Sequence, residues 1–180
     1  MKISFRSLCA AALLASIPVV AAAMPGQTVA QFMTWAKANP ALHGLQKKMN
    51  EMSAMDYYSA TFQAGSVKGN FLANVGENSK ISDESVAVDT GSQNYDILKH
   101  PEVPPALLAA VYGSDVVADF KGATKVGSWT LKNATSPTAL YRGKLYGYEL
   151  AFSFVKLIPV STVDAEAKNL AACVTQECGD

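Results

Sequence analysis

Between Tyr146 and Phe154 the chain runs Tyr-Gly-Tyr-Glu-Leu-Ala-Phe-Ser-Phe, with a large apolar side chain at every second position. A period of two belongs to a β-strand: Tyr146, Tyr148, Leu150, Phe152 and Phe154 fall on one face, and Gly147, Glu149, Ala151 and Ser153 on the other. A sheet with one large apolar face must bury it against a second layer, and other parts of this chain have helical spacing. The pattern predicts an α+β fold: an antiparallel sheet with helices packed on one face.

The other elements follow from the same periodicities. Val29, Phe32, Met33 and Ala36 lie at helical spacing within Thr28 to Ala38. Asn39-Pro40 then suits the start of a second helix reaching about Met55, with Leu42, Leu45, Met49 and Met52 on one stripe. Tyr57 to Gln63, Phe71 to Val75 and Ser85 to Thr90 are short β-rich runs between Gly, Asn and Ser clusters. A third helix is expected from Pro104-Pro105 through Tyr112, interrupted at Gly113 and resuming towards Phe120. Lys125 to Lys132 and Thr138 to Val160 read as strands, and Ser161-Thr162 opens a final helix with Asp164 and Glu166 in its first turn. No internal repeat, charge block or low-complexity tract divides the chain, so residues 24–180 are expected to form one domain.

Residues 1–23 have the pattern of an export signal. Lys2 and Arg6 give a basic start, Leu8 to Val20 is apolar, and Ala21-Ala22-Ala23 offers a small-residue cleavage site. The apolar run is too short for a membrane anchor, so a soluble periplasmic or secreted protein is expected after cleavage near Ala23. Cleavage removes two cations and leaves 13 basic against 15 acidic residues. That balance provides no basic excess to hold nucleic acid or an anionic membrane and leaves the partner unspecified; an unidentified protein or small ligand is expected.

The mature chain keeps Cys173 and Cys178, which an oxidising compartment would pair. A helix through both would hold their Cα atoms about 8 Å apart, so a bridge requires the helix to stop near Cys173. The C-x4-C spacing points to a structural disulfide rather than a redox pair.

Val86-Ala87-Val88-Asp89-Thr90-Gly91-Ser92 is a hydrophobic run into Asp-Thr-Gly-Ser, and it resembles the active-site loop of aspartic peptidases. Asn94 extends the likeness to the pepsin-like branch. Such an enzyme needs two carboxylates sharing one proton. With one Asp-Thr-Gly in the chain, the resemblance implies a homodimer of retropepsin-like type, with Asp89 as catalytic residue and Thr90 and Gly91 bracing and turning the loop. Leu145-Tyr146-Gly147 loosely resembles the family's downstream hydrophobic-hydrophobic-Gly element. The family follows that glycine with a short helix, whereas this chain continues as an alternating strand. The competing reading of Asp89 is a strand running into a turn that favours Asp and Gly on its own account.

Two other groups bear on function. Met49, Met52 and Met55 are spaced by three, a thioether set suited to Cu(I), although the same spacing fills the core side of a helix. Tyr141, Arg142 and Lys144 combine an aromatic ring with two cations, as binding surfaces do, and alternation puts Tyr141 on the face opposite Tyr146 and Tyr148. Ser-His-Asp spacing, a zinc-ligand cluster and a phosphate loop are missing from the sequence, so no cofactor is expected. The sequence therefore favours an exported binding or interaction protein without catalytic activity, using Tyr141, Arg142 and Lys144. The alternatives are a homodimeric aspartic peptidase using Asp89 and a periplasmic Cu(I)-binding protein using Met49, Met52 and Met55.

Overall fold

The computed structural model describes residues 25–51, 54–64, 67–89 and 95–176. The expected export signal, Met52, Thr90, Gly91 and Cys178 lie outside them. Among the described residues four α-helices and eight strands follow in the order α1 (Val29–Ala38), β1 (Leu42–Met49), β2 (Asp56–Ala64), β3 (Val67–Val75), β4 (Ile81–Val88), α2 (Val103–Tyr112), α3 (Ser114–Lys121), β5 (Thr124–Trp129), β6 (Thr138–Arg142), β7 (Tyr146–Ala151), β8 (Phe154–Pro159) and α4 (Val163–Ala172).

β1 to β4 form one antiparallel meander and β5 to β8 a second. β4 pairs antiparallel with β8, which joins the meanders into one sheet of order β1-β2-β3-β4-β8-β7-β6-β5. Exchanging β1–β4 for β5–β8 leaves that order unchanged. The two halves thus share a two-fold topological pattern about the β4–β8 pair, although the sequence contains no visible repeat. The expected α+β class, with an antiparallel sheet in a single domain, is what the structure shows.

α1, α2 and α3 cover one face. Thr28 caps α1 through a capping box with Gln31, and the helix then places Phe32 and Trp35 on the sheet. Phe32 meets Tyr58 of β2 at 5.1 Å between ring centroids, and Trp35 stacks on Tyr112 of α2 at 5.9 Å. Leu107, Leu108 and Val111 of α2 and Val116 of α3 join the same core, together with Phe71, Val86, Tyr148, Leu150 and Leu157 from the strands. α4 adds a layer on the reverse face of the second meander. Its Val163 and Leu170 pack with Leu140 and Ile158. Gly147 leaves the space that Val163 fills.

Two expected elements differ from those observed. Residues 42–49 form an edge strand instead of the expected second helix. Leu42 and Leu45 do face the core together, but a β-bulge between His43 and Gln46 causes it. The extra residue, with Gly44 at φ 66°, turns two inward positions into a spacing of three, which mimics a helical stripe. Asn39 ends α1, with its side-chain amide donating to the Val111 carbonyl at 2.9 Å, and starts no new helix. Met49 and Met55 consequently flank a hairpin turn and stand 60 % and 52 % exposed, so neither packs a helix core.

The second difference is that the alternating run beginning at Tyr146 ends at Ala151. Phe152 and Ser153 make a tight turn, and Phe152 adopts φ 47°. Phe154 pairs with Ala151, which puts it on the face opposite Tyr148.

Candidate functional site

The sheet's reverse face is covered unevenly. Over the second meander α4 lies across β5 and β6, but among the described residues no helix packs on the reverse side of β1–β4. Strand alternation decides what that open side presents. In β2, Tyr58, Ala60 and Phe62 go to the core, while Tyr57, Ser59 and Thr61 face outward. In β3, Phe71 and Ala73 go inward, and Asn70, Leu72 and Asn74 outward. Cross-strand pairing then assembles rows: Gln46, Ser59, Leu72 and Ser85 in one, and Thr61, Asn70 and Ala87 in the next.

Gln46, Ser59 and Leu72 of the first row and Thr61, Asn70 and Ala87 of the second form the floor of a trough of about 580 Å³, bordered by His43 and Lys48 of β1. A second hollow of about 610 Å³ continues it towards Met49 and Asn74, and the two share Tyr57 and Leu72. Leu72 is 38 % exposed in the middle of the sheet face. The trough thus offers hydroxyl and amide groups around a half-buried tyrosine and an exposed leucine. Such a lining can hold a ligand with both polar and apolar parts.

Beyond the trough the row through Ser85 continues to Lys156 of β8 and Glu149 of β7. Lys156 sits between two carboxylates, 2.5 Å from Glu149 Oε2 and 3.2 Å from Glu166 Oε1 of α4. Burial pushes the Glu149 pKa up, with Glu166 adding to the rise and Lys156 opposing it. Burial alone would lower the Lys156 pKa, but the two carboxylates together raise it. This cluster ties α4 to the sheet.

A third carboxylate lies inside the core. Glu84 of β4 is completely buried on the helix-covered face. Burial pushes its pKa up to about 8; the nearby Tyr112 hydroxyl pulls it down and Asp83 pushes it up. Neither Glu84 oxygen, nor the Tyr112 or Tyr146 hydroxyl, completes a hydrogen bond of good geometry among the described residues. The Tyr112 hydroxyl therefore lies beside the carboxyl without properly engaging it. Glu84 is enclosed on the face opposite the trough, where burial favours its protonated form. Its signal in the sequence is its place two and four residues before Val86 and Val88, on the inward parity of a β-rich run.

The residues singled out from the sequence are dispersed. Asp89 is exposed at the end of β4, where its N–H donates to the Lys68 carbonyl at 3.1 Å; Thr90 and Gly91 are not among the described residues. Tyr141 pairs with Tyr148 and shares its face, contrary to the alternation expected through one long strand, because β6 and β7 are separate strands of a hairpin. Its ring meets Phe120 of α3 edge-on at 6.1 Å. Arg142 points to the reverse face and forms an ion pair with Asp164 of α4. Lys144 lies in the turn and borders a separate pocket of about 380 Å³ with Asp115 and Leu145. The three do not share a surface. The trough has a sequence signal of its own, the polar parity of Tyr57, Ser59 and Thr61 against Tyr58, Ala60 and Phe62, but spacing alone does not mark it as a site.

Among the described residues no group of three or more His, Cys, Asp or Glu side chains could hold a metal ion. No described helix is long and apolar enough to cross a membrane. Comparison with protein-family models, curated proteins and solved structures finds no match.

Proposed function

We propose that the chain is an exported, soluble binding protein that takes its ligand in the open trough of the β1–β4 meander and performs no reaction on it. The uneven covering of the reverse face supports this reading most directly. α4 closes the second meander, whereas the first leaves Tyr57 and Leu72 accessible among hydroxyl and amide side chains. A solvated sheet face ordinarily presents polar side chains outward, so an exposed leucine at the centre of a hollow favours a ligand site. The binding surface accordingly moves from the Tyr141 to Lys144 segment to β1–β4.

Export rests on the basic-apolar-small pattern of residues 1–23. In an oxidising compartment Cys173 would pair with Cys178, and α4 stops at Ala172, as so short a bridge requires. Alkylation of the unreduced mature chain is then expected to label neither cysteine.

A thermal-shift screen against sugars, nucleotides, amino acids, peptides and lipids tests the binding reading. At least one class should raise Tm in the parent protein and fail to do so in Leu72→Glu. A ligand at a hundred times its Kd adds about 3 kcal/mol of stability, well within reach of such a screen. Hits that survive Leu72→Glu unchanged would contradict the assignment.

A further inference from the structure

This inference rests on the binding reading above and concerns the class of ligand. The trough floor is neutral: Gln46, Ser59, Thr61 and Asn70 carry hydroxyl or amide groups. The row through Tyr57 and Asn74 ends at Lys48 on β1 and at Asp83 on β4, so its margin charges oppose each other. A polyanion would require clustered cations. The centre of a protein interface is depleted in Ser and enriched in aromatic residues, Met and Arg; this floor carries Ser59, one outward aromatic ring in Tyr57 and no arginine. A lipid chain requires an apolar enclosure, whereas this trough is open to solvent and has hydroxyl, amide and charged side chains along its floor and rim.

A ligand dense in hydroxyls, with small C–H patches between them, fits each feature. Hydroxyl and amide side chains both donate and accept, so they match hydroxyls in either role. A tyrosine ring supplies a flat apolar body with a polar tip, and Leu72 adds apolar surface beside it. We propose that the trough is a binding site for a neutral carbohydrate chain, with Tyr57 and Leu72 beneath the sugar rings and Gln46, Ser59, Thr61 and Asn70 bonding to their hydroxyls. The row from β1 to β4 crosses three gaps of about 4.8 Å, roughly 14 Å in all, which suits an oligosaccharide better than a single sugar.

The test is an amide NMR titration of the mature chain with cellohexaose, chitohexaose and maltohexaose, with heparin fragments and a mixed peptide pool as comparators. At least one neutral oligosaccharide should shift the Ser59, Asn70 and Leu72 amides saturably, with an affinity insensitive to added salt. Tyr57→Ala and Asn70→Ala should each weaken it roughly tenfold while leaving the remaining spectrum unchanged. Shifts of the same amides by heparin fragments or peptides alone overturn the carbohydrate assignment and leave the binding face standing. Trough amides silent to every probe, or a sugar that shifts only amides elsewhere, overturn both.

Discussion

Glu84 shows most clearly what a single residue costs this fold. Its carboxyl is fully buried beside Tyr112 and Tyr146, with Asp83 next to it in the strand. Its pKa rises from an ordinary 4.5 to about 8, so between those values the native state holds a proton that the unfolded state has released. Stability from this group is therefore fully present below about pH 4.5 and is lost as pH rises through about 8. The slope is roughly 1.4 kcal/mol per pH unit, for a total loss of about 5 kcal/mol. Urea unfolding across that window should show this decline in the parent and a clearly flatter profile in Glu84→Gln, which cannot ionise. Equal slopes in the two proteins would contradict the assignment. Inward parity made Glu84 legible in principle. The absence of good hydrogen bonds did not, because it depends on Tyr112 and Tyr146 arriving from distant elements.

At the scale of elements, the β6–β7 hairpin is held by a residue of α3. The Asp119 carboxylate accepts the N–H groups of Lys144, Leu145 and Tyr146 at 2.7, 3.1 and 3.3 Å, and the Tyr148 hydroxyl at 2.8 Å. Gly143 permits this approach, since a Cβ there would overlap the carboxylate. Asp119→Ala leaves these donors without their acceptor and should lower stability by about 2 kcal/mol, measured by denaturant unfolding. Gly143→Ala should destabilise by a similar amount, about 1–3 kcal/mol, through the steric clash. A neutral result for both would show that the hairpin needs no such support. Long elements with clean periodicity were legible: α1, the α2–α3 pair, β2 and α4 lie close to where spacing puts them. β1 was not, because its bulge gives Leu42 and Leu45 a helical interval. The tight turn at Phe152 was hidden as well, since its aromatic continues the alternation across a chain reversal.

Taken whole, the molecule is two antiparallel meanders sharing one helix-covered core and differing on their reverse faces. α4, with Val163 and Leu170 in apolar contact and Glu166 at Lys156, closes one half. The other half presents the trough. The fold class could be read from one alternating stretch, because a period of two needs only local sequence. The trough could not, since Ser59, Leu72 and Ser85 become neighbours only through the β2–β3–β4 register, and their exposure depends on where α4 packs. For the same reason Tyr141, Arg142 and Lys144, adjacent in sequence, separate onto two faces and a turn.

The most direct measurement is a structure of residues 24–180 bound to the ligand that stabilises them best in the screen. The ligand should lie on the β1–β4 face, against Tyr57 and Leu72, with hydrogen bonds to Ser59 or Asn70. A ligand seated elsewhere, such as the pocket bordered by Asp115, Lys144 and Leu145, would contradict it.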